Sequence, residues 1–234
     1  MNLIDLVFPR KCLECGKTGS YICDCCLLKV GKPKPVCIQC EKASIDGMTH
    51  ARCKRKLTID YNYSGWKYGG VIRKGILKLK YNFAYELAED LAEKFVSDLQ
   101  NSSNILPREG ILIPIPLHRL RQNWRGYNQS IEIGKLIAAK MDWKFIPDLL
   151  LRKKISRPQT ELKEEERMDN IRNIFSFNPN YLLLSTFQAR GLSRPEANYI
   201  LFDDVMTTGS TLKEAGKVLK RHGANIVWGL TLAK

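Results

Sequence analysis

Residues 199–211 read Tyr-Ile-Leu-Phe-Asp-Asp-Val-Met-Thr-Thr-Gly-Ser-Thr: an apolar strand that ends in two adjacent carboxylates, then a loop of small, hydroxyl-bearing residues that opens a helix. Tyr199 to Phe202 are the aromatic and branched residues that a buried strand favours. After them, Thr207, Thr208, Gly209, Ser210 and Thr211 set backbone N–H groups and hydroxyls at a helix N-terminus, where unpaired amides and the helix dipole both favour an anion. The loop reads as a phosphate cradle. Asp203 and Asp204 would repel that phosphate, so they face sugar hydroxyls or a hard cation such as Mg2+. Phosphate, sugar and metal together describe a sugar phosphate. A strand whose last Asp only caps the next helix is the simpler arrangement, but two carboxylates followed by a loop of small residues exceed what a cap needs.

The string resembles the phosphoribosyl pyrophosphate (PRPP) motif of type I phosphoribosyltransferases: four mostly apolar residues, two acids, then Thr-Thr-Gly-x-Thr. The resemblance implies that Asp203 and Asp204 clamp the ribose hydroxyls. It also implies that Val205, Met206, Thr207, Thr208, Gly209, Ser210 and Thr211 hold the 5′-phosphate, with magnesium accompanying PRPP. A side chain at Gly209 is then expected to crowd the phosphate. The stretch is not a Walker loop, which needs a Lys after its last glycine.

A second chemistry is written in the cysteines, all eight of which lie within residues 12–53. Cys12-x-x-Cys15 is followed by Cys23-x-x-Cys26, and Cys37-x-x-Cys40 by His50-x-x-Cys53. Two such knuckles make one tetrahedral zinc site. The pattern predicts two structural zinc ions, one on four cysteines and one on Cys37, Cys40, His50 and Cys53, with Cys25 left over. A segment this short has too little core to fold without the metal. Disulfides are the alternative, and a reducing compartment disfavours them. Both sites are expected to be closed, since four protein ligands leave no place for a reacting water.

The elements that must position these groups are set by hydrophobic spacing. Val71, Ile72, Ile76 and Leu79, then Leu87, Leu91, Phe95 and Leu99, recur at three and four residues and predict helices over 69–81 and 84–100. A short strand is expected at 111–115, a helix over 128–141, strands near 144–151 and 173–177, the motif strand at 199–203, a helix over 211–223 and a closing strand over 225–232. This alternation predicts an α/β fold with a mainly parallel sheet, ligands binding beyond the carboxyl ends of its strands. The zinc segment is expected as a small double ribbon over 1–57, with a phosphoribosyltransferase-like domain over 58–234.

Two further segments are expected at the same sheet edge. Residues 116–129 carry Arg119, Arg121 and Arg125, then Asn128 and Gln129 at a helix start; guanidinium forks suit diphosphate oxygens. An ordinary solvated basic loop has the same composition. Residues 152–172 hold Lys153, Lys154, Arg157, Gln159 and Arg167 and read as an exposed excursion of the kind that closes over active sites. A plain surface helix also reads this way.

Taken in order, the cysteine ribbon, Pro-Ile-Pro-Leu-His, Arg-Gly-Tyr-Asn-Gln, Arg-Pro-Gln-Thr and the PRPP motif are similar to the ComF family of competence-associated phosphoribosyltransferase-like proteins. That resemblance implies that Arg125, Asn128, Gln129, Gln159, Arg167 and Asn170 lie beside the PRPP site, with Arg125 and Arg167 joining the two acids as catalytic groups. It further implies a part in natural transformation, with single-stranded DNA and competence-machinery proteins as partners. His50 departs from the pattern, since ribbons of this family usually carry a cysteine there. Met1-Asn2 lacks the nucleophilic cysteine of a glutamine amidotransferase, so that activity is not expected.

Composition agrees with these readings. No apolar run approaches the roughly eighteen residues of a membrane span, Met1 to Arg10 does not read as a secretory signal, and a cytoplasmic location is expected. The formal net charge of +14 favours polyanions. Lysines and arginines interleave with Tyr61, Tyr63, Trp66, Tyr68 and Tyr81, a mixture suited to single-stranded nucleic acid, although aromatics at this density also build cores.

Overall fold

The computed structural model describes residues 9–81, 84–102, 106–117, 123–153, 173–181 and 197–234. Five parallel strands form one sheet in the order β1-β7-β6-β2-β3: β1 (Tyr61–Trp66), β2 (Ile111–Pro114), β3 (Lys144–Phe145), β6 (Asn198–Val205) and β7 (Ile226–Ala233). The remaining pair, β4 (Leu150–Arg152) and β5 (Phe175–Phe177), is antiparallel and separate. The described α-helices are α1 (Asp24–Val30), α2 (Gly70–Tyr81), α3 (Tyr85–Asn101), α4 (Gln129–Met141) and α5 (Ser210–Arg221).

Side chains alternate across each strand, and both faces of this sheet are covered. Leu112, Ile200, Phe202, Trp228, Leu230 and Leu232 join the core formed with α2, α3 and α4, whereas Ile111, Ile113, Leu201 and Val227 join a second core with α5. Strands buried on both sides read as continuous apolar runs, which is why the motif strand was legible. The spaced apolar residues of α2 and α3 are all buried as their period requires.

Three expectations need correction. The strand expected near 144–151 divides at Pro147: the Ile146 N–H still reaches the Leu112 carbonyl at 3.0 Å, but proline has no N–H to continue the ladder. Beyond that proline the chain forms β4, and the strand near 173–177 becomes its antiparallel partner β5 rather than part of the parallel sheet. The third concerns Tyr61 to Trp66, which form edge strand β1: Trp66 is buried and Tyr61 stacks on Trp228 with ring centroids 4.1 Å apart, so both serve the core.

The cysteine segment packs on both layers. Cys12, Ile22 and Cys26 belong to the core with α2 and α3, and the Ile22 N–H donates to Asp90 Oδ2 at 2.8 Å. Ile38 and Ile59 belong to the core under α5. The Asn62 amide on β1 donates to the carbonyls of Val36 at 2.7 Å and Gly47 at 2.8 Å, fastening the second knuckle to the sheet edge.

Candidate functional site

β2 and β6 are neighbours, but the chain continues from β2 toward β3 on one side and from β6 toward β7 on the other. Their carboxyl ends open a crevice, the place where open parallel sheets take ligands. Both α4, which comes after β2, and α5, which comes after β6, begin at this edge.

Asp203 and Asp204 stand at the end of β6. Asp204 is buried, and its Oδ2 accepts from Gln129 Nε2 at 3.0 Å and pairs with Lys80 Nζ at 2.9 Å. Gln129 Oε1 in turn accepts from Arg125 Nη1 at 3.1 Å, so Arg125, Gln129, Asp204 and Lys80 form one chain of contacts. Asp203 Oδ1 accepts from Ser130 Oγ at 3.2 Å and from the Asp204 N–H at 2.9 Å. Burial first, and the Asp204 carboxylate second, push Asp203 up to about 7 against the pull of Lys80. Burial lowers Lys80, but the attraction of Asp204 and Asp203 outweighs it and holds the ammonium above its ordinary value.

Arg125 carries a second signal: its Nε is buried and has no acceptor among the described residues. A buried donor left unpaired is costly, so this Nε–H calls for an acceptor beyond the described residues. Asn128 is otherwise employed. Its Oδ1 caps α4 by accepting from the Ser130 N–H at 3.0 Å, and its amide donates to the Ile115 carbonyl at 3.1 Å, which fixes the β2–α4 connection.

The loop after β6 closes a small concavity lined by residues 203 and 205–212. Gly209 precedes α5 with φ 70° and ψ 8°, and no side chain caps the helix, so its first amides are free to meet an anion. Thr208 Oγ1 and Ser210 Oγ lie 2.8 Å apart at the same turn. Val205 is paired with Ala233 in the sheet, and the Met206 N–H donates to the Ala233 carbonyl at 2.9 Å. These two residues carry the end of β6 into the loop. A Cβ on Gly209 would stand 2.8 Å from Ile38 Cγ1, so the crowding expected there falls first on the cysteine segment.

Arg119, Gln159 and Arg167 lie outside the described residues, as do Arg121, Arg157 and Asn170. Lys80 and Ser130 were missed by sequence reasoning. Ser130 had a signal, a hydroxyl directly after Asn128-Gln129 at a helix start, whereas Lys80 was one lysine in a basic stretch.

The two cysteine clusters form as their spacing predicts. The ligand atoms of Cys12, Cys15, Cys23 and Cys26, and separately those of Cys37, Cys40, His50 and Cys53, all lie within 4.8 Å of one another, the span of a tetrahedral zinc shell. Both knuckles are the same turn: Gly16 and Glu41, each four residues after its first cysteine, have φ 75° and 59°. His50 Nε2 lies 3.0 Å from the Ala43 carbonyl and Nδ1 3.4 Å from Cys40 Sγ. An Nε2–H donated to that carbonyl leaves the Nδ1 lone pair facing the thiols, the outer contact that metal-bound histidines use. In the first cluster, backbone donors from Cys15, Cys23 and Glu14 outweigh burial and bring Cys12 down to about 6, while burial and the neighbouring sulfurs push Cys26 up to about 12. A divalent cation removes this conflict, so the donor set fits zinc.

No helix of the described residues is long and apolar enough to cross a membrane. No family model matches the chain. Over 127 residues it is 34% identical to competence protein F of Haemophilus influenzae, the match covering 52% of this chain and 50% of that protein. The chain thus spans about half the length of that relative. Competence protein ComFC of Bacillus subtilis is 26% identical over 219 residues, covering 92% of this chain and 79% of its own length. DNA utilization protein YhgH of Escherichia coli is 25% identical over 237 residues, covering 95% and 96%. The chain is therefore a homologue of these competence and DNA-utilization proteins, similar along nearly its whole length to ComFC and YhgH.

Proposed function

We propose that the crevice binds PRPP with Mg2+ and that the protein is a phosphoribosyltransferase-like member of its family working in DNA uptake or utilization. The observation that carries this reading is the convergence of Lys80, Gln129 and, through it, Arg125 on Asp204, beside an uncapped helix start. Ribose hydroxyls have acceptors in Asp203 and Asp204, the 5′-phosphate has the amides and hydroxyls of 207–211, and the diphosphate has Arg125 and Lys80. Mg2+ would neutralise diphosphate charge. In group transfer, the lone pair of an acceptor nitrogen forms the bond to C1 of the ribose as the C1–oxygen bond breaks; diphosphate leaves with the electron pair, and the nitrogen gives its proton to water. Positioning and charge stabilisation then supply the rate. Residues 1–57 and 58–234 are the two units of this reading, with zinc holding the first.

PRPP with Mg2+ is expected to stabilise the chain by about 2.7 kcal/mol at a hundredfold excess over Kd, which a thermal-shift measurement reads directly. Asp204→Asn should abolish most of the shift. A wild-type chain that shows no shift at millimolar PRPP excludes the pocket.

A second reading is a non-catalytic factor for single-stranded DNA. It is favoured by a cavity of about 280 Å3 between the cysteine segment and the sheet, lined by Lys32, Lys34, Tyr63, Met206 and Lys234, and by the names of the relatives. Release of pyrophosphate from PRPP separates the two. Single-stranded DNA binding should weaken steeply with salt, and a flat salt dependence in fluorescence anisotropy would remove the electrostatic account.

A further inference from the structure

Between the two cysteine clusters the chain reads Gly31-Lys32-Pro33-Lys34-Pro35-Val36 and passes beside β1, the edge strand of the sheet. This strap is pinned at both ends. The Gly31 carbonyl accepts from the Lys67 N–H at 3.1 Å, and the Val36 carbonyl accepts from the Asn62 amide at 2.7 Å. Between those points it forms no strand, since Pro33 and Pro35 lack the N–H that a ladder needs. The gap left between strap and sheet is the cavity of about 280 Å3, with Pro33, Pro35 and Val36 facing Tyr63 and Ser64. Its charges do not balance. Lys32 is neutralised: its ammonium donates to Asp98 Oδ1, while Asp98 Oδ2 accepts from Tyr63 Oη at 2.7 Å. Lys34, Lys234 and Asp46 also line the cavity, and none of the three has an ion pair among the described residues. Two ammoniums against one carboxylate leave one net positive charge beside an apolar wall.

We propose that this cavity binds a small organic monoanion, a carboxylate with an apolar body, and that its occupation braces the phosphate loop. Its volume lies just under the roughly 300–1,000 Å3 of pockets for drug-sized ligands, which suits a small acid. A nucleic-acid strand needs several phosphates neutralised, and one net charge does not supply that. The carboxylate has Lys34 and Lys234 as partners, and the body removes water from the prolines, Val36 and Met206. Asp46 sets the charge limit, since a dianion would meet it with repulsion. The walls lead to the loop. Met206 is the first residue after β6, and Val36 stands two residues before Ile38, which packs at Gly209 in the turn that opens α5. A ligand that holds these walls favours the loop conformation they support, which couples the two sites positively. The carboxylate site stands on the cavity alone, whereas the brace rests on the sugar-phosphate reading of the crevice.

Calorimetric titration of the full chain with octanoate, octan-1-ol, octylammonium and inorganic phosphate tests the site. Octanoate should bind once per chain, octanol more weakly, and the other two not at the same concentration. Lys34→Met and Lys234→Met keep an apolar stem and should each weaken octanoate about threefold, the scale of one partly exposed charge pair. Asp46→Asn should instead tighten it about threefold. Asp46 has φ 52°, a conformation asparagine also adopts, so that variant keeps its backbone. Equal binding of octanol or octylammonium, or an octanoate affinity that none of the three substitutions moves, overturns the site. Displacement of octanoate by oligodeoxythymidylate assigns the cavity to nucleic acid and also overturns it. By reciprocity, saturating octanoate should raise PRPP affinity by the factor by which PRPP raises octanoate affinity. Octanoate binding with unchanged PRPP affinity removes the brace. A PRPP-dependent thermal shift without octanoate binding removes the carboxylate site alone, and octanoate binding in a chain with no PRPP shift removes the sugar-phosphate reading instead.

Discussion

Asp203 and Asp204 are adjacent in sequence but differ in what neutralises them. Asp204 has Lys80 and Gln129, whereas Asp203 has a hydroxyl and an amide. Burial and its neighbour hold Asp203 near 7 against an ordinary 3.8. An acid raised by folding keeps its proton when the unfolded chain has released it, so its contribution to stability is full below the unfolded value and is lost as pH rises through the folded one. Urea denaturation between pH 5 and 8 should therefore show stability falling with pH, and Asp203→Asn should flatten that fall; an unchanged slope would assign it elsewhere. Contacts to ribose hydroxyls use the ionised form, so PRPP affinity should change in the opposite sense and rise through about pH 7 in the wild type. The two acids were legible in the sequence because their place after an apolar strand marks them. Lys80 was not, since only the packing of α2 against the sheet separates it from Lys74 and Lys78.

The β6–α5 turn is an element whose shape depends on a distant segment. Gly209 has φ 70°, and its missing Cβ makes room for Ile38, whose Cγ1 would lie 2.8 Å and Cδ1 3.2 Å away. Gly209→Ala should cost about 1–2 kcal/mol for the left-handed backbone, with overpacking added to that. Ile38→Ala should cost about 2–5 kcal/mol as a buried truncation. Combined, the smaller residue at 38 accommodates the methyl at 209, so the double variant should lose about 1 kcal/mol less than the sum; strict additivity by denaturant unfolding would show that the two do not press on each other. Helices α2 to α5 were legible because a 3.6-residue apolar period survives any tertiary context. β1 was not: Tyr-Asn-Tyr-Ser-Gly-Trp buries Asn62 and Gly65 and leaves both tyrosines only partly covered, and its Gly65 is explained only by the fold, where a Cβ would meet Phe95 Cε2 at 2.7 Å.

Across the whole molecule, the cysteine segment is part of the support for the crevice. A Cβ on Gly75 of α2 would stand 3.6 Å from Ile22 Cδ1, and α2 carries Lys80; Ile38, next to Cys37, packs at Gly209 in the turn that opens α5. Spacing alone made the two clusters legible but suggested an appended ribbon, because which apolar residues between the ligands face the sheet is not written in the ligand pattern. About two zinc ions per chain are expected by elemental analysis, since both donor sets fit. Metal binding is folding energy for such segments, so losing it should release the residues that the knuckle holds. Cys12→Ser should remove one ion and lower thermal stability on the α2 side. Cys37→Ser should also remove one ion, but it frees Ile38 directly beneath the turn that opens α5. It should therefore reduce the PRPP-dependent thermal shift more than Cys12→Ser does. A Cys37→Ser chain that binds one zinc and keeps the full PRPP shift would show that the phosphate loop stands without its knuckle.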